Sequence, residues 1–204
     1  MTSATPSVIV VIPARYGSSR FPGKPLAMLG RKPMIQHVYE QAAACRVVTE
    51  VLVATDDERI KQAVEQFGGQ AIVMAGEFRT GTDRVAGVAR TRTGGFFVDL
   101  QGDEIPVNPD LLADLIEPFV ESDAQMGTLK RAITSSDDLL NPAVVKVVTN
   151  QQGQALYFSR APIPFIRNAS AGASHLRHLG IYGFQRDFLF QFVSWPPSVH
   201  ELAE

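Results

Sequence analysis

Cysteine and histidine are both scarce in this sequence. Its 204 residues include one cysteine, Cys45, so no internal disulfide can form and the fold must be held by its core. Three of the four histidines, His37, His175 and His200, show neither metal-ligand spacing nor a partner for a catalytic triad. No serine lies in a G-x-S-x-G motif. The sequence therefore gives no sign of a zinc centre or of a serine hydrolase.

Long apolar runs and an excess of one charge are also missing. No apolar stretch comes near the roughly 18 residues that cross a bilayer, and the opening MTSATPS lacks the basic and apolar regions of a secretion signal. The 19 Lys and Arg residues nearly balance the 21 Asp and Glu residues, giving a net charge of −2. Any phosphate binding must therefore come from a local cluster of cations. We expect a cytoplasmic protein without membrane or nucleic-acid partners.

What the sequence does contain, in its first 125 residues, is an alternation of short apolar runs with helical patterns. Four runs are too short for buried helices and predict strands: 7–14, 50–57, 71–75 and 96–102. Three intervening segments have apolar residues at helical spacing: 33–45, 58–67 and 82–90. This order predicts an α/β fold with an open, doubly wound, mostly parallel sheet.

After residue 125 the pattern changes to closely spaced strands. Four segments predict them: 126–133, 143–150, 155–163 and 177–184. The turn signal NQQG between the second and third predicts a hairpin, so this part of the sheet is mixed or antiparallel. We predict a core of residues 1–125 and a smaller part of residues 126–204, which would supply a lid or a dimer surface. The small polar segment 166–174 is predicted to be a mobile loop.

The stretch after the first predicted strand resembles a phosphate-binding P-loop but departs from it. Gly17 and Gly23 are one residue too far apart, and Pro25 replaces the hydroxyl residue that would hold the metal ion. The same stretch carries Arg15, Arg20 and Lys24 on a turn rich in glycine and proline. Three cations and free backbone N–H groups at the carboxyl end of a strand favour binding of a triphosphate over a solvated surface loop.

An acidic turn follows the fourth predicted strand, in the segment DLQGDE. Asp103 would place a hard carboxylate oxygen at the same edge of the sheet, where Mg²⁺ is commonly held by one or two carboxylates and by substrate oxygens. Asp99 and Glu104 are alternatives, but their positions along the chain point their side chains elsewhere.

Two helix starts have both a functional and a structural interpretation. At FRTGTDRVAG, a cap from Thr80 or Thr82 and the cation Arg84 fit contact with a base or ribose, but an ordinary capped helix explains them as well. Asp56 and Asp57 begin another predicted helix, where the helix dipole alone would account for them. We therefore leave these two aspartates out of the site.

A second anion site is predicted from the later strands. Arg160 offers a planar fork for a carboxylate, and His178 lies in a neighbouring motif with Tyr182. Taken alone, a histidine such as His178 is more often an ordinary residue of the sheet.

Seven motifs occur in one order between Val8 and Trp195: VIPARYGSSRFPGKPL, VATDDERI, GTDRVA, LQGDE, NPAVVKVV, ALYFSRAPIP and RHLGIYGF. In this the sequence resembles the 3-deoxy-manno-octulosonate (Kdo) cytidylyltransferase family. The resemblance implies a fold like that of nucleotide-diphospho-sugar transferases and a Mg²⁺-dependent reaction of CTP and Kdo to CMP-Kdo and pyrophosphate. It also implies a role in lipopolysaccharide biosynthesis and a homodimer formed through the second part of the chain.

The resemblance assigns roles to particular residues. The residues implied for CTP binding are Arg15, Ser18, Arg20, Lys24, Gly81, Arg84 and Gln101. Those implied for the acid sugar are Arg160, His178 and Tyr182. Asp103 would bind the metal, and Arg15, Lys24 and Asp103 would carry the catalysis. Residues 1–125 would then be the nucleotide-binding core, and residues 126–204 the part for sugar binding and dimerisation.

Two departures from the family keep alternatives open. Ile105 follows QGDE where the family has a proline, which would re-aim the loop behind Asp103. The family also continues beyond residue 195 into a segment with a second metal-binding aspartate, and residues 196–204 do not match it. We therefore expect a shortened chain or an incomplete site. The alternatives are a cytidylyltransferase for 8-amino-Kdo and a non-catalytic protein that binds a nucleotide or sugar.

Overall fold

The computed structural model describes residues 7–17, 21–104, 107–168, 170 and 172–203. The chain forms two compact units. The first contains the residues up to Gly127 together with Ile181–Trp195, and the second contains Thr128–Gly180 and the residues from Pro196 onward.

The first unit contains a parallel sheet and the helices that cover it. The strands of this unit are β1 (Val8–Ala14), β2 (Met28–Leu29), β3 (Lys32–Pro33), β4 (Glu50–Thr55), β5 (Ala71–Val73) and β6 (Phe96–Leu100). Of these, β2 and β3 form a separate two-stranded sheet. The α-helices of this unit are α1 (Met34–Ala43), α2 (Glu58–Gln66), α3 (Gly81–Ala89) and α4 (Pro109–Val120). A short 3-10 helix, Lys24–Leu26, follows β1.

The remaining elements follow in chain order. They are β7 (Met126–Ala132), α5 (Ser136–Leu140), β8 (Lys146–Thr149), β9 (Ala155–Ser159), β10 (Leu176–Gln185), α6 (Arg186–Ser194) and α7 (Val199–Ala203). The helix α6 lies in the first unit, and the first five residues of β10 belong to the second unit while its last five belong to the first.

The sheet of the first unit has the order β5, β4, β1, β6 and then the second half of β10. The first four strands are parallel, with Val11 opposite both Leu52 and Asp99, and β10 runs antiparallel to β6. The predicted mostly parallel α/β sheet is confirmed. The predicted boundary puts residues 181–195 in the second part of the chain, whereas they belong to the first unit because this half of β10 pairs with β6.

Helices cover both faces of this sheet. One core cluster joins alternate residues of β1, β4 and β6, among them Ile9, Leu52 and Phe97, to α3 and α6. The intervening strand residues point to the opposite face, where Phe96 meets Phe119 of α4 edge to face. Helix α1 buries Ile35 and Val38. Near-continuous apolar strands are required because both faces of the sheet exclude water.

Local sequence explains where the helices begin. Thr80 caps α3, since its side chain accepts from the Asp83 N–H while the Asp83 carboxylate accepts from the Thr80 N–H. Asp57 caps α2 through the Arg59 N–H. Helices α4 and α6 were not predicted, although Asn108 is a typical cap for α4 and precedes apolar residues at helical spacing. The two short strands β2 and β3 were also missed, because they are too brief to show a period.

The second unit contains the predicted hairpin. Strands β8 and β9 are antiparallel, with Val147 opposite Phe158, and the Asn150 side chain accepts from the N–H groups of Gln152 and Gln154 in the turn. Gly153 has φ 81°, which a residue with a side chain rarely adopts. In the predicted loop 166–174, residues 169 and 171 lie outside the described chain, and the mobility of this loop stays a prediction.

One carboxyl group is buried in the first sheet. Asp99 of β6 is fully shielded from solvent, and burial raises the pKa of this carboxyl to about 6, although hydrogen bonds from Thr82 and Gln101 act in the opposite direction. Its ionised form is therefore disfavoured in the folded protein relative to the unfolded chain. A residue that destabilises the sheet in this way invites a functional explanation.

The buried Asp99 carboxyl should make stability fall as pH rises. The folded pKa of this carboxyl, about 6, lies above the ordinary value of 3.8, so the unfolded chain loses the proton at lower pH. The free energy of unfolding therefore falls as pH rises between these two values. We expect about 1 kcal/mol of this loss between pH about 5 and about 7.

Urea unfolding of the wild type and of Asp99→Asn at both pH values measures the difference, since the amide has no charge to lose. Asp123→Asn, a change at an exposed position, is the control. Parallel pH profiles for the wild type and Asp99→Asn would contradict the assignment.

Candidate active site

A cavity lies at the carboxyl edge of the first sheet, next to the ends of β1 and β6. Its volume is about 180 Å³, and its lining residues are Pro13, Ala14, Arg15, Phe78, Arg79, Thr80, Gly81, Arg84 and Gln101. The order of strands reverses at this point, because β1 is followed along the chain by β4 of the same sheet on one side of it, whereas β6 lies on its other side. Such a switch point is where open α/β sheets bind their ligands.

The loop after β1 is fixed at Tyr16. The Tyr16 N–H donates to Asp56 Oδ1 at 3.1 Å, and its carbonyl accepts from the Gly23 N–H at 2.8 Å. The Arg59 guanidinium lies 3.4 Å from the centre of the Tyr16 ring. Gly23 has φ 69°, and a Cβ there would approach the Tyr16 ring to 3.0 Å, so only glycine fits. These contacts fix both ends of the turn.

Residues of this loop occupy different positions relative to the cavity. Arg15 lines it and is exposed. Lys24 begins the 3-10 helix, and its Nζ lies 2.5 Å from Asp103 Oδ2, with the two side chains 39% and 51% exposed. The structure therefore brings the predicted cation and the predicted metal ligand together from the loops that follow β1 and β6. Ser18 and Arg20, also predicted here, lie outside the described residues.

Among the described residues, Arg84 presents one hydrogen-bond donor without a partner. Its side chain is 8% exposed, and its Nη2 donates to Asp56 Oδ2 at 3.3 Å. Its Nη1 is buried and bonds to no acceptor in the described part of the chain. The guanidinium also lies over the Phe78 ring at 4.9 Å. Since a buried N–H is costly to leave unpaired, this atom is well suited to an acceptor on a ligand in the cavity.

The Gln101 side chain is held by one hydrogen bond to the buried Asp99, whose other oxygen is bound by Thr82, and it packs closely against Gly81. Its Nε2 donates to Asp99 Oδ1 at 2.7 Å, while Thr82 Oγ1 donates to Asp99 Oδ2 at 2.8 Å. A Cβ on Gly81 would lie 3.1 Å from Gln101 Nε2 and 3.1 Å from Pro13 Cγ. The glycine at position 81 therefore leaves room for the amide of Gln101.

The residues predicted for the acid sugar belong to different units. In the second unit, Arg160 Nη1 donates to the Pro142 carbonyl at 2.9 Å, and His178 Nε2 lies 2.9 Å from Thr128 Oγ1. Burial lowers the pKa of His178, which favours its neutral form. In the first unit, burial and the charges of Asp99 and Glu104 raise the pKa of Tyr182 to about 12. A joint role for these three residues stays a prediction.

Asp56 is a supporting residue of the site that the sequence-based interpretation missed. That interpretation attributed both Asp56 and Asp57 to the start of a helix, and the structure gives that role to Asp57 alone. Asp56 instead accepts from the Tyr16 N–H and pairs with Arg84. A usable signal was present, because Asp56 follows β4, which neighbours β1, and carboxyl ends of parallel strands share one edge.

The donor set at Asp103 is suitable for Mg²⁺ but not for a preformed metal centre. Within the described ranges, no group of three His, Cys, Asp or Glu side chains could hold an ion. Asp103 is half-exposed and offers hard carboxylate oxygens beside the loop after β1, which is predicted to bind phosphates. Mg²⁺ needs only one or two such ligands when phosphate oxygens and water complete its shell. No helix in the described ranges is long and apolar enough to cross a membrane.

Comparison with known proteins gives a consistent result. A family model described as Cytidylyltransferase matches residues 9–204. A 3-deoxy-manno-octulosonate cytidylyltransferase of Geobacter sulfurreducens is 47% identical, covering 97% of this chain and 84% of the relative. One of Trichlorobacter lovleyi is 46% identical, covering 97% and 82%.

Solved structures agree with these relatives. The structure of CMP:2-keto-3-deoxy-manno-octonic acid synthetase complexed with CTP has a TM-score of 0.90 at 45% identity, covering 97% of this chain and 81% of that one. A cytidylyltransferase of Leptospira borgpetersenii, at 16% identity and a TM-score of 0.61, shares the fold. With these matches across its length, the chain belongs to the 3-deoxy-manno-octulosonate cytidylyltransferase family.

Proposed function

We propose that this chain transfers the cytidylyl group of CTP to Kdo and releases pyrophosphate. The observation that carries the proposal is the cavity at the switch point, which Arg84 and Gln101 line and where Arg84 Nη1 is a buried donor with no partner among the described residues. Lys24 and Asp103 supply opposite charges from the two adjoining loops. The relatives' names supply the identity of the two substrates.

In the proposed reaction, a hydroxyl oxygen of Kdo attacks the α-phosphorus of CTP. A new P–O bond forms, the bond from the α-phosphorus to the pyrophosphate oxygen breaks, and the hydroxyl proton passes to solvent water. The protein forms no covalent bond, so its contribution is to position the reactants and to neutralise charge. Arg15 and Lys24 would stabilise the charge that accumulates on the leaving pyrophosphate, assisted by Arg20 and Ser18 of the same loop.

Asp103 is the residue proposed to hold Mg²⁺. Its present partner, Lys24, would turn to the phosphates when nucleotide binds, which frees the carboxylate for the ion. An ion held there would neutralise phosphate charge and make the attacking hydroxyl more acidic. Asp103 and Lys24 thus neutralise each other until the substrates arrive.

We propose that Arg160, His178 and Tyr182 contact the acid sugar. Because burial favours the neutral form of His178, this residue would contribute a hydrogen bond and Arg160 would contribute the charge opposite the carboxylate. The product would serve lipopolysaccharide biosynthesis in the cytoplasm. We further propose a homodimer formed through residues 126–204.

The proposed function predicts that purified protein with CTP, Kdo and Mg²⁺ releases pyrophosphate, because the cavity holds the nucleotide next to Lys24 and Asp103. A coupled pyrophosphate assay measures it, with Kdo and 8-amino-Kdo supplied in separate reactions. Faster release with 8-amino-Kdo would change the assigned substrate. Calorimetric binding of CTP without any pyrophosphate release would indicate a binding protein and contradict the proposal.

Lys24→Ala should lower turnover by about 100-fold or more, because one preorganised positive charge opposite the transition-state phosphates is lost. The fold should persist, since a half-exposed ion pair contributes little to stability. The same assay measures turnover, and thermal unfolding checks the fold. Lys61→Ala, which removes a partly exposed lysine of α2 that pairs with Glu58, is the control and should keep wild-type turnover. Wild-type turnover in Lys24→Ala would refute its assigned role.

A further inference from the structure

A glutamine side chain that can turn freely does not distinguish cytosine from uracil. Its amide presents an acceptor and a donor side by side, and a half-turn about the last side-chain bond exchanges them at little cost. Cytosine carries an amino donor at the position where uracil carries a carbonyl acceptor. A freely turning glutamine would therefore pair with either base, and discrimination requires something that fixes the amide.

In this structure the buried carboxylate of Asp99 fixes the Gln101 amide. Asp99 is fully buried, and its Oδ1 accepts from Gln101 Nε2 at 2.7 Å. An ionised carboxylate has only acceptors, so a turned amide would place the Gln101 carbonyl oxygen against it. The Thr82 hydroxyl occupies the other Asp99 oxygen at 2.8 Å and so prevents the carboxylate from turning away. The amide is held in one orientation before any ligand binds.

We infer that Asp99 is a positioning residue for base selection: it fixes Gln101 with its carbonyl oxygen available as an acceptor, which favours a pyrimidine with an exocyclic amino group over one with a carbonyl. This inference rests on the proposed nucleotide site. It also explains why a carboxylate is retained at a position where it costs stability. Gly81 contributes by leaving the space that this orientation of the amide occupies.

The geometry discriminates by repulsion as well as by attraction. A uracil ring would meet the Gln101 carbonyl with its own carbonyl, and turning the amide would transfer the clash to Asp99. Both arrangements leave acceptors facing each other, which is the kind of contact that rejects the wrong ligand. The Arg84 donor tolerates either base, because both carry an acceptor at their remaining carbonyl.

The test is calorimetric binding of CTP and UTP to the wild type, Asp99→Asn, Gln101→Met and the double variant. Near pH about 8 Asp99 is ionised, since its pKa is raised only to about 6. In Asp99→Asn the amide at position 99 can donate or accept, so Gln101 can turn. We expect the CTP preference to fall by about tenfold, the scale of one unmatched buried hydrogen bond.

The double variant separates positioning from a general structural effect. With Gln101→Met the amide is gone, so Asp99→Asn should cause no further loss of preference. Asp123→Asn is the matched control and should keep the wild-type preference. An unchanged preference in Asp99→Asn or in Gln101→Met would overturn the inference, as would an equal loss from Asp99→Asn in both backgrounds. Protein that binds CTP selectively but releases no pyrophosphate would refute the proposed function and leave this inference standing.

Discussion

The carboxylate of Asp56 is the contact on which the candidate site depends. One oxygen accepts the Tyr16 N–H from the loop after β1, and the other pairs with Arg84 of α3. A single side chain at the end of β4 thereby fixes the loop that carries the cations and the arginine that lines the cavity. It can do so because β4 and β1 are parallel neighbours whose carboxyl ends meet at one edge.

Charged side chains cluster at one edge of the sheet, and one of them, Asp99, lowers the stability of the fold. The net charge is only −2, yet Arg15, Lys24 and Arg84 gather at one edge of the sheet. Beneath them Asp99 is buried with two hydrogen bonds and a raised pKa. Buried charged groups seldom favour stability, and their retention here fits the need for fixed dipoles and charges around a triphosphate and a base. The core contributes rigidity, and the edge of the sheet contributes the chemistry.

The parts of this arrangement that depend on local pattern could be predicted from the sequence. Alternating apolar runs indicated the parallel sheet, and the shared carboxyl edge of its strands was enough to place Arg15 and Gln101 near each other. The helix α4 was not predicted, although a typical capping residue precedes it. The strands β2 and β3 were not predicted because they are too short to show a period. The roles of Asp56 and Asp99 could not be predicted from pattern, because they depend on which atoms of neighbouring strands meet in space.

We propose that CTP binds at the switch point, with its triphosphate on the loop after β1 and its base against Gln101 and Arg84. A crystal structure of this chain with CTP and Mg²⁺ tests it most directly. In that structure Lys24 should contact the phosphates, Arg84 Nη1 should bond to the nucleoside, and the Gln101 carbonyl oxygen should accept from the cytosine amino group. Nucleotide bound elsewhere, or Lys24 still paired with Asp103 and turned from the phosphates, would contradict it.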